Sequence, residues 1–227
     1  WLFFEGLFRS PTCAFVLNMS AQKSILYHVP LFCSTRPLRV VYALNLTDKI
    51  EVRTVDSAFL KTPEYLKINP NGCVPALVEP DGTVLLESGA ISLYLVEKYG
   101  DKQKWLGDEK LRPKLFQWLF FGPATLFALI SAGFTEYFTP PDKKDAEKAA
   151  KLKQKFQSSL SNLENALSES DWILGTPHPT LVDITVSYEL YSGVFLGWVE
   201  EATHPKVKAW VDRITAFDWF QKSLPSH

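Results

Sequence analysis

The sequence predicts an α/β domain followed by an all-helical domain. In the first hundred or so residues, short β-prone runs alternate with helical patterns, and a predicted β-hairpin leads directly into a helix start. Further along, apolar residues recur at helical spacings and no convincing pair of strands appears. The chain has 227 residues, a length that suits one large domain or two modest ones, and 46% of them are apolar, which is enough for a substantial core.

The first domain is predicted to begin with a strand, a helix and a second strand. Residues 24–29 (SILYHV) form a β-prone run that ends at Pro30. An amphipathic helix follows, with a proline suited to its first turn, on the pattern Pro37, Val40, Val41, Leu44. Residues 50–55 supply the next strand, which we expect to pair in parallel with the first. A short helix is predicted around residues 63–67.

A hairpin and a helix start come next. Residues 76–78 and 84–86 are short β-prone runs, joined by a turn that contains Pro80, Asp81 and Gly82. Glu87 and Ser88 close the second strand, and we expect Ser88 to be the N-cap of a helix over residues 89–99. Such a helix end has unpaired N–H groups and a partial positive charge, so it can hold a carboxylate.

Pro75 opens the first strand of this hairpin at the expected edge of the sheet. Proline cannot donate to a strand ladder, so Val74 could offer its own N–H and C=O to a peptide-like ligand. The sequence NP-x-G-x-VPAL at residues 69–77, followed by ESGAI-x-x-YL at residues 87–95, resembles the soluble glutathione transferase family. The resemblance extends from Met19 to about Phe220.

This resemblance implies a thioredoxin-like domain over residues 19–99, a linker over residues 100–107 and an all-helical domain over residues 108–227. It implies that Val74 pairs with the cysteinyl backbone of glutathione and that Pro75 is cis. Glu87 and Ser88 would hold the γ-glutamyl end of the ligand. Cys73 stands where relatives commonly have Lys or Gln, and Lys61, which matches a lysine of phi-like sequences, could bind the glycine carboxylate instead.

Such an enzyme must lower the pKa of a bound thiol, and a hydroxyl donor at a helix N-terminus can do this. Counted back from Val40, Ser34 falls where the serine-type (theta-like and phi-like) branches of the family have their catalytic serine. The neighbouring Cys33 is the alternative, because omega-like and beta-like relatives place a cysteine in this turn and form a mixed disulfide with glutathione. A third interpretation is that Ser34 or Thr35 only caps the helix.

The second domain is predicted to contain four main helical segments. A dense apolar and aromatic stripe covers residues 109–132, and Gly122-Pro123 should kink or split that helix. Residues 142–167 form a surface helix, and residues 184–198 a buried central helix that Thr180 and Asp183 cap. The last helix covers residues 205–217. By location, Phe32, Phe116 and Phe120 are candidates for contact with a hydrophobic co-substrate, although an aromatic stripe at helical spacing is more often part of a core than of a pocket.

The leading functional prediction is a glutathione S-transferase that conjugates or reduces small hydrophobic electrophiles, with glutathione as co-substrate and without a metal. We expect a homodimer. One alternative is a non-catalytic binding or interaction protein of the same fold; another is a thiol transferase that depends on Cys33. A net charge of −1 and a pI near 6.5 give no electrostatic footprint for nucleic acid or an anionic membrane.

Cysteine usage and the N-terminal segment bear on the compartment. Cys13, Cys33 and Cys73 have neither disulfide-framework nor zinc-site spacing, so we expect reduced thiols and a cytoplasmic protein. The single methionine of the chain is Met19, which directly precedes the first strand. Residues 1–18 are therefore expected to lie outside the fold, as a translated upstream region or the remnant of a targeting peptide, which would indicate an organelle.

Overall fold

The computed structural model describes residues 22–225. The predictions for residues 1–18, Met19 and Cys13 lie outside these residues. The first domain consists of the following elements in chain order: β1 (Ser24–His28), α1 (Thr35–Ala43), β2 (Ile50–Thr54), α2 (Pro63–Leu66), β3 (Ala76–Val78), β4 (Val84–Leu86) and α3 (Ser88–Tyr99). A 3₁₀ turn, Phe59–Lys61, precedes α2.

The sheet of the first domain has the strand order β2-β1-β3-β4. β1 pairs in parallel with β2, as the strand–helix–strand pattern predicts, and antiparallel with β3. β3 and β4 form the predicted hairpin, in which Ala76 pairs with Leu86 and Val78 with Val84. The prediction of a thioredoxin-like domain is confirmed.

The segment predicted as a linker contains a helix, α4 (Lys102–Leu106). The side chain of Asp101 caps this helix by accepting a hydrogen bond from the N–H of Lys104 at 3.2 Å. Trp105 and Leu106 on α4 are buried in the main core. The connection between the domains is therefore packed against them along part of its length.

The second domain is all-helical, as predicted. Its elements are α5 (Arg112–Phe120), a π-helical turn (Phe121–Leu126), α6 (Phe127–Phe138), α7 (Ala146–Ser159), α8 (Ser161–Ser168), α9 (Leu181–Phe195), α10 (Pro205–Thr215) and α11 (Asp218–Gln221). The predicted interruption at Gly122-Pro123 is confirmed, because both residues lie in the π-helical turn. Proline has no N–H for the regular α-helical ladder. The predicted helix over residues 142–167 is instead two helices that meet at Leu160.

The central helix α9 holds the two domains together. Most of its residues are buried, as its apolar composition predicts, and it packs against α1 of the first domain. The predicted cap is confirmed: Asp183 accepts hydrogen bonds from the N–H of Thr180 at 2.8 Å and from its hydroxyl at 2.9 Å. One core cluster includes residues of both domains, so α1 and α9 are fixed relative to each other.

Candidate active site

Two neighbouring residues in the turn between β1 and α1 differ in their exposure to solvent. Cys33 is partly exposed, whereas Ser34 is completely buried. Leu31, in the left-handed region at φ 66°, and Phe32 are both exposed on the outer side of the turn. The candidate site is built around this turn.

The hydroxyl of Ser34 makes its hydrogen bonds within the protein. Its Oγ lies 2.9 Å from Nδ1 of His28, accepts a hydrogen bond from the N–H of Val29 at 3.2 Å and lies 3.2 Å from the Val29 carbonyl. Burial lowers the pKa of His28 to about 4, so the imidazole is neutral at pH 7. This arrangement ties the end of β1 to the start of α1, and it does not favour Ser34 as the residue that contacts a glutathione sulfur.

Cys33 lies against the loop that precedes β3. Its Sγ donates to the carbonyl of Val74 at 3.1 Å, across 41 residues of sequence. Burial raises the pKa of the Cys33 thiol above its ordinary value, and the nearby charge of Arg36 only partly opposes this effect. At neutral pH, Cys33 is therefore a protonated thiol and a hydrogen-bond donor.

The peptide bond between Val74 and Pro75 is cis, as predicted. The loop before it is held by two bonds to the carbonyl of Cys73, from the Tyr65 hydroxyl and from Nδ2 of Asn69, each at 2.7 Å. The side chain of Lys61 reaches the same loop, where its Nζ donates to the carbonyl of Gly72 at 3.0 Å. The structure thus brings Lys61 close to Val74 and Pro75 in space.

Gly72 makes the approach of Lys61 possible. It has φ +58°, which favours glycine, and a Cβ there would lie 2.9 Å from the carbonyl oxygen of Leu60 and 3.0 Å from Nζ of Lys61. A side chain at this position would therefore force the loop and the lysine apart.

Glu87 and Ser88 lie at the junction of β4 and α3, as predicted, but their local roles differ from the prediction. Ser88 is the first residue of α3, and Glu87 is the N-cap residue, without a side-chain capping bond. The exposed Glu87 has φ 69° and ψ 116°, an uncommon conformation for a residue with a side chain. The buried Oγ of Ser88 accepts a hydrogen bond from Nη1 of Arg36 at 2.8 Å.

Arg36 is the residue of the site that the sequence interpretation missed. It is only 1% exposed, it forms an ion pair with the fully buried Glu189 of α9, and its guanidinium lies over the rings of Tyr188 and Phe127 at 4.7 and 5.1 Å. The hydroxyl of Tyr188 donates to the carbonyl of Leu31 at 3.0 Å. The signal available in the sequence was a charged residue among the apolar residues of α1 and another, Glu189, in the apolar central helix, because buried charges are normally paired.

Aromatic side chains of α6 and α9 pair with one another, starting beside this ion pair. The rings of Phe127 and Tyr188 are 6.3 Å apart, and those of Phe134 and Phe195 are 5.8 Å apart. Both residues of the second pair lie seven positions after the first, or about two helical turns, so the two helices run side by side in the same direction. We call the following set the α6–α9 aromatic surface: Phe127, Phe134, Tyr137, Phe138, Tyr188 and Phe195.

The far end of this surface is open. Tyr137, Phe138 and Phe195 are 50%, 73% and 56% exposed, and Tyr137 packs against both of the other rings. Phe116 and Phe120, predicted for co-substrate contact, are also exposed, but they lie on α5, before the π-helical turn. The structure thus places Phe32 beside Cys33 and Phe116 and Phe120 on a different helix from the α6–α9 aromatic surface.

The helical stretch that carries these residues is unusually apolar on its outside. Within the described part of the chain, Lys102–Phe138 is long and apolar enough to cross a membrane by length and composition alone, with a mean hydropathy of 1.6 in its most apolar window. Only 33% of that window is buried. Core helices of soluble proteins pass the same test. No group of His, Cys, Asp or Glu in residues 22–225 could hold a metal ion.

Comparison with known proteins agrees with this geometry. Residues 32–98 match the family model "Glutathione S-transferase, N-terminal domain", and residues 126–218 match "Glutathione S-transferase, C-terminal domain". Glutathione S-transferase D7 of Drosophila melanogaster is 32% identical over 166 residues, which cover 71% of this chain and 70% of the relative. This chain belongs to the glutathione S-transferase family.

Solved structures of other family members have the same fold as this glutathione S-transferase. A glutathione S-transferase-like protein from Lodderomyces elongisporus superimposes with a TM-score of 0.80 at 26% identity, over 91% of this chain and 96% of that one. Ure2p in complex with glutathione gives a TM-score of 0.78 at 21% identity, over 89% and 98% of the two chains. The fold of this family member, and the two-domain arrangement around its candidate site, are therefore those of its relatives.

Proposed function

We propose that this family member is a glutathione transferase that joins glutathione to a small hydrophobic electrophile, with the thiol of Cys33 facing the glutathione sulfur. The contact between Cys33 Sγ and the Val74 carbonyl carries the proposal. Val74 is the residue whose backbone the family pattern assigns to the cysteinyl part of glutathione. The residue nearest to the ligand sulfur is then Cys33, and the serine-type assignment to Ser34 has no comparable support, because that hydroxyl is buried and bonded elsewhere.

Glutathione is held at three points in this proposal. The N–H and C=O of Val74 pair with the cysteinyl backbone, and Glu87 and Ser88 bind the γ-glutamyl end at the N-terminus of α3. Lys61 is the cation for the glycine carboxylate. Its Nζ already lies at the loop before Val74, and an ammonium can turn from the Gly72 carbonyl to a carboxylate for a stronger, charge-assisted bond.

The protonation state of Cys33 favours conjugation over thiol transfer. Bound glutathione competes for the Val74 carbonyl and so releases the S–H of Cys33 to donate to the ligand sulfur. Because burial raises the pKa of Cys33, this residue keeps its proton and stabilises the glutathione thiolate as a weak donor. Glutathione gives up its thiol proton to solvent, its thiolate attacks the electrophilic carbon and becomes a thioether, and the leaving group or the added carbon takes the electron pair.

The co-substrate is bound by apolar surface on both domains. Phe32 and Leu31 supply it from the turn beside Cys33, and the α6–α9 aromatic surface supplies it from the second domain. The hydrogen bond from Tyr188 to Leu31 joins the two parts. A surface that consists largely of ring faces and edges suits a flat aromatic electrophile.

Phe116 and Phe120 fit a different partner. They are 47% and 64% exposed on α5. Aromatic residues that are exposed on a single subunit and become buried on association are typical of the core of a subunit interface. We therefore propose that a second copy of the chain covers this face in a homodimer.

The test compares two cysteine variants on glutathione-agarose and in a conjugation assay with 1-chloro-2,4-dinitrobenzene. Cys33→Ala should lower conjugation at neutral pH by about tenfold or more. Cys73→Ala is the matched control, because Cys73 is an exposed thiol next to Val74 whose removal should leave conjugation within about twofold.

Other outcomes would redirect the proposal. Conjugation that is insensitive to Cys33→Ala, together with disulfide reduction that this change abolishes, would favour the thiol transferase. A folded wild type that binds glutathione and is inactive in both assays would favour a non-catalytic binding protein.

A further inference from the structure

The buried Arg36 has contacts in both halves of the candidate site. From α1 its Nη1 reaches the hydroxyl of Ser88 at 2.8 Å, and its Nε and Nη2 bond to Glu189 on α9. A buried guanidinium is costly to desolvate and could equally serve only to hold the two domains together. The contact with Ser88, at the N-terminus of α3, indicates that Arg36 does more than hold the two domains together.

The bond from Arg36 fixes the direction of the Ser88 hydroxyl. A serine hydroxyl has one hydrogen to donate and two lone pairs, and arginine can only donate. Since Ser88 accepts from Arg36, its own hydrogen points away from the guanidinium. Ser88 is also the first residue of α3, where a carboxylate is favoured by free N–H groups, so a fixed hydroxyl here is ready to donate to the same carboxylate.

Arg36 also lies next to the sulfur side of the site, where its backbone N–H donates to the carbonyl of Cys33 at 3.2 Å. Burial is the main influence on the Cys33 thiol and raises its pKa; the positive charge of Arg36 lowers it, and the negative charge of Glu189 raises it. A glutathione sulfur next to Cys33 would experience the same two charges. Glu189 therefore holds Arg36 in place and at the same time weakens its effect on a thiolate.

We infer that Arg36 is a positioning residue for glutathione: through Nη1 it orients the Ser88 hydroxyl toward the γ-glutamyl carboxylate, and through its charge it favours the glutathione thiolate beside Cys33, with Glu189 as its support. This inference rests on the proposed glutathione site. It goes beyond that proposal because it assigns a role to the ion pair between the domains.

Arg39 provides a matched control. It lies one turn further along α1, is equally buried, and bonds to Ser223 at 2.9 Å and Ser187 at 2.6 Å, away from Ser88. Arg36→Lys and Arg39→Lys each keep a positive charge and each lose the planar fork of donors. Both should lower the melting temperature, but only Arg36→Lys should change ligand binding.

The first measurement is calorimetric binding of S-methylglutathione, which has the γ-glutamyl group but no free thiol. We expect Arg36→Lys to weaken binding by about tenfold, the loss typical of one charge-assisted hydrogen bond, and Arg39→Lys to change it by less than about twofold. In the Ser88→Ala background, Arg36→Lys should have no further effect. Equal losses in the two arginine variants, or additive losses with Ser88→Ala, would overturn the inference.

The second measurement is the apparent pKa of bound glutathione, from thiolate ultraviolet absorbance after subtraction of the protein alone. Glu189→Gln removes the opposing charge and should lower that pKa by about one pH unit, whereas Arg39→Lys should not shift it. No shift, or an upward shift, in Glu189→Gln would overturn the inference. A wild type that binds neither glutathione nor S-methylglutathione would overturn the proposed function as well, so the two failures are distinguishable.

Discussion

Replacement of Ser34 by alanine should lower the stability of the protein and leave the conjugation rate of the folded protein nearly unchanged. The substitution removes an oxygen that is 0% exposed and lies within 3.2 Å of three polar atoms of His28 and Val29. A buried N–H left without an acceptor costs about 1–3 kcal/mol, and the neutral bonds that are lost add about 1 kcal/mol. We therefore expect Ser34→Ala to lower the free energy of unfolding by about 2–4 kcal/mol, or about 10 °C in melting temperature.

Cys33→Ala should show the opposite pattern. The Sγ of Cys33 makes one weak bond to Val74 and is partly exposed, so its removal should cost less than about 1 kcal/mol of stability. Conjugation should fall about tenfold or more, because the donor to the glutathione sulfur is lost.

Urea unfolding and conjugation rates per folded molecule, measured below the unfolding transition, separate the two effects. Ser34→Ala should keep a rate within about threefold of wild type once the folded fraction is taken into account. A Ser34→Ala protein of normal stability with conjugation reduced a hundredfold would refute this reasoning and restore the serine-type assignment.

Three further predictions follow from single residues. Burial lowers the pKa of His28 to about 4, so as the pH falls the unfolded chain binds a proton before the folded protein does. The free energy of unfolding should therefore decrease by about 3 kcal/mol between about pH 6.5 and pH 4, and His28→Asn should flatten that part of a urea-unfolding pH series. Glu87→Gly should remove the positive-φ cost of about 1 kcal/mol and preserve the melting temperature, while retention on glutathione-agarose is lost with the carboxylate; retention equal to wild type would contradict the role of Glu87. Phe120→Glu should convert a dimer to a monomer in analytical ultracentrifugation at an unchanged melting temperature, and a dimer that persists would exclude this face of α5.

Much of the fold follows from local sequence chemistry. The hairpin was predicted with the strand bounds that the structure has, since Pro80, Asp81 and Gly82 leave little choice of turn. Thr180 and Asp183 determine the start of α9 through a cap within four residues, although the helix covers Leu181–Phe195 rather than the predicted residues 184–198. Where bounds differ, as in the single helix predicted over residues 142–167, the apolar spacing continues across a break that it does not reveal.

The site was less accessible to such reasoning. Ser34 and Cys33 are adjacent, so a count of residues cannot determine which side chain turns toward Val74 and which toward His28; the packing of β1, α1 and the cis-proline loop determines it. Arg36 and Glu189 are 153 residues apart and meet only after α9 docks on α1. Long-range pairs of this kind leave no periodic pattern in the sequence.

The π-helical turn at Phe121–Leu126 separates the proposed dimer face on α5 from the proposed co-substrate surface on α6, within one stretch of chain. On an uninterrupted α-helix, Phe116, Phe120, Phe127 and Phe134 would share a single face, because their spacings of four and seven residues return to nearly the same angle. An i→i+5 turn adds one residue and rotates everything after it by about 100°. A substitution that let these six residues wind as regular α-helix, with no residue removed, would therefore merge the two surfaces, and the proposed second subunit and the proposed aromatic co-substrate would then compete for one place.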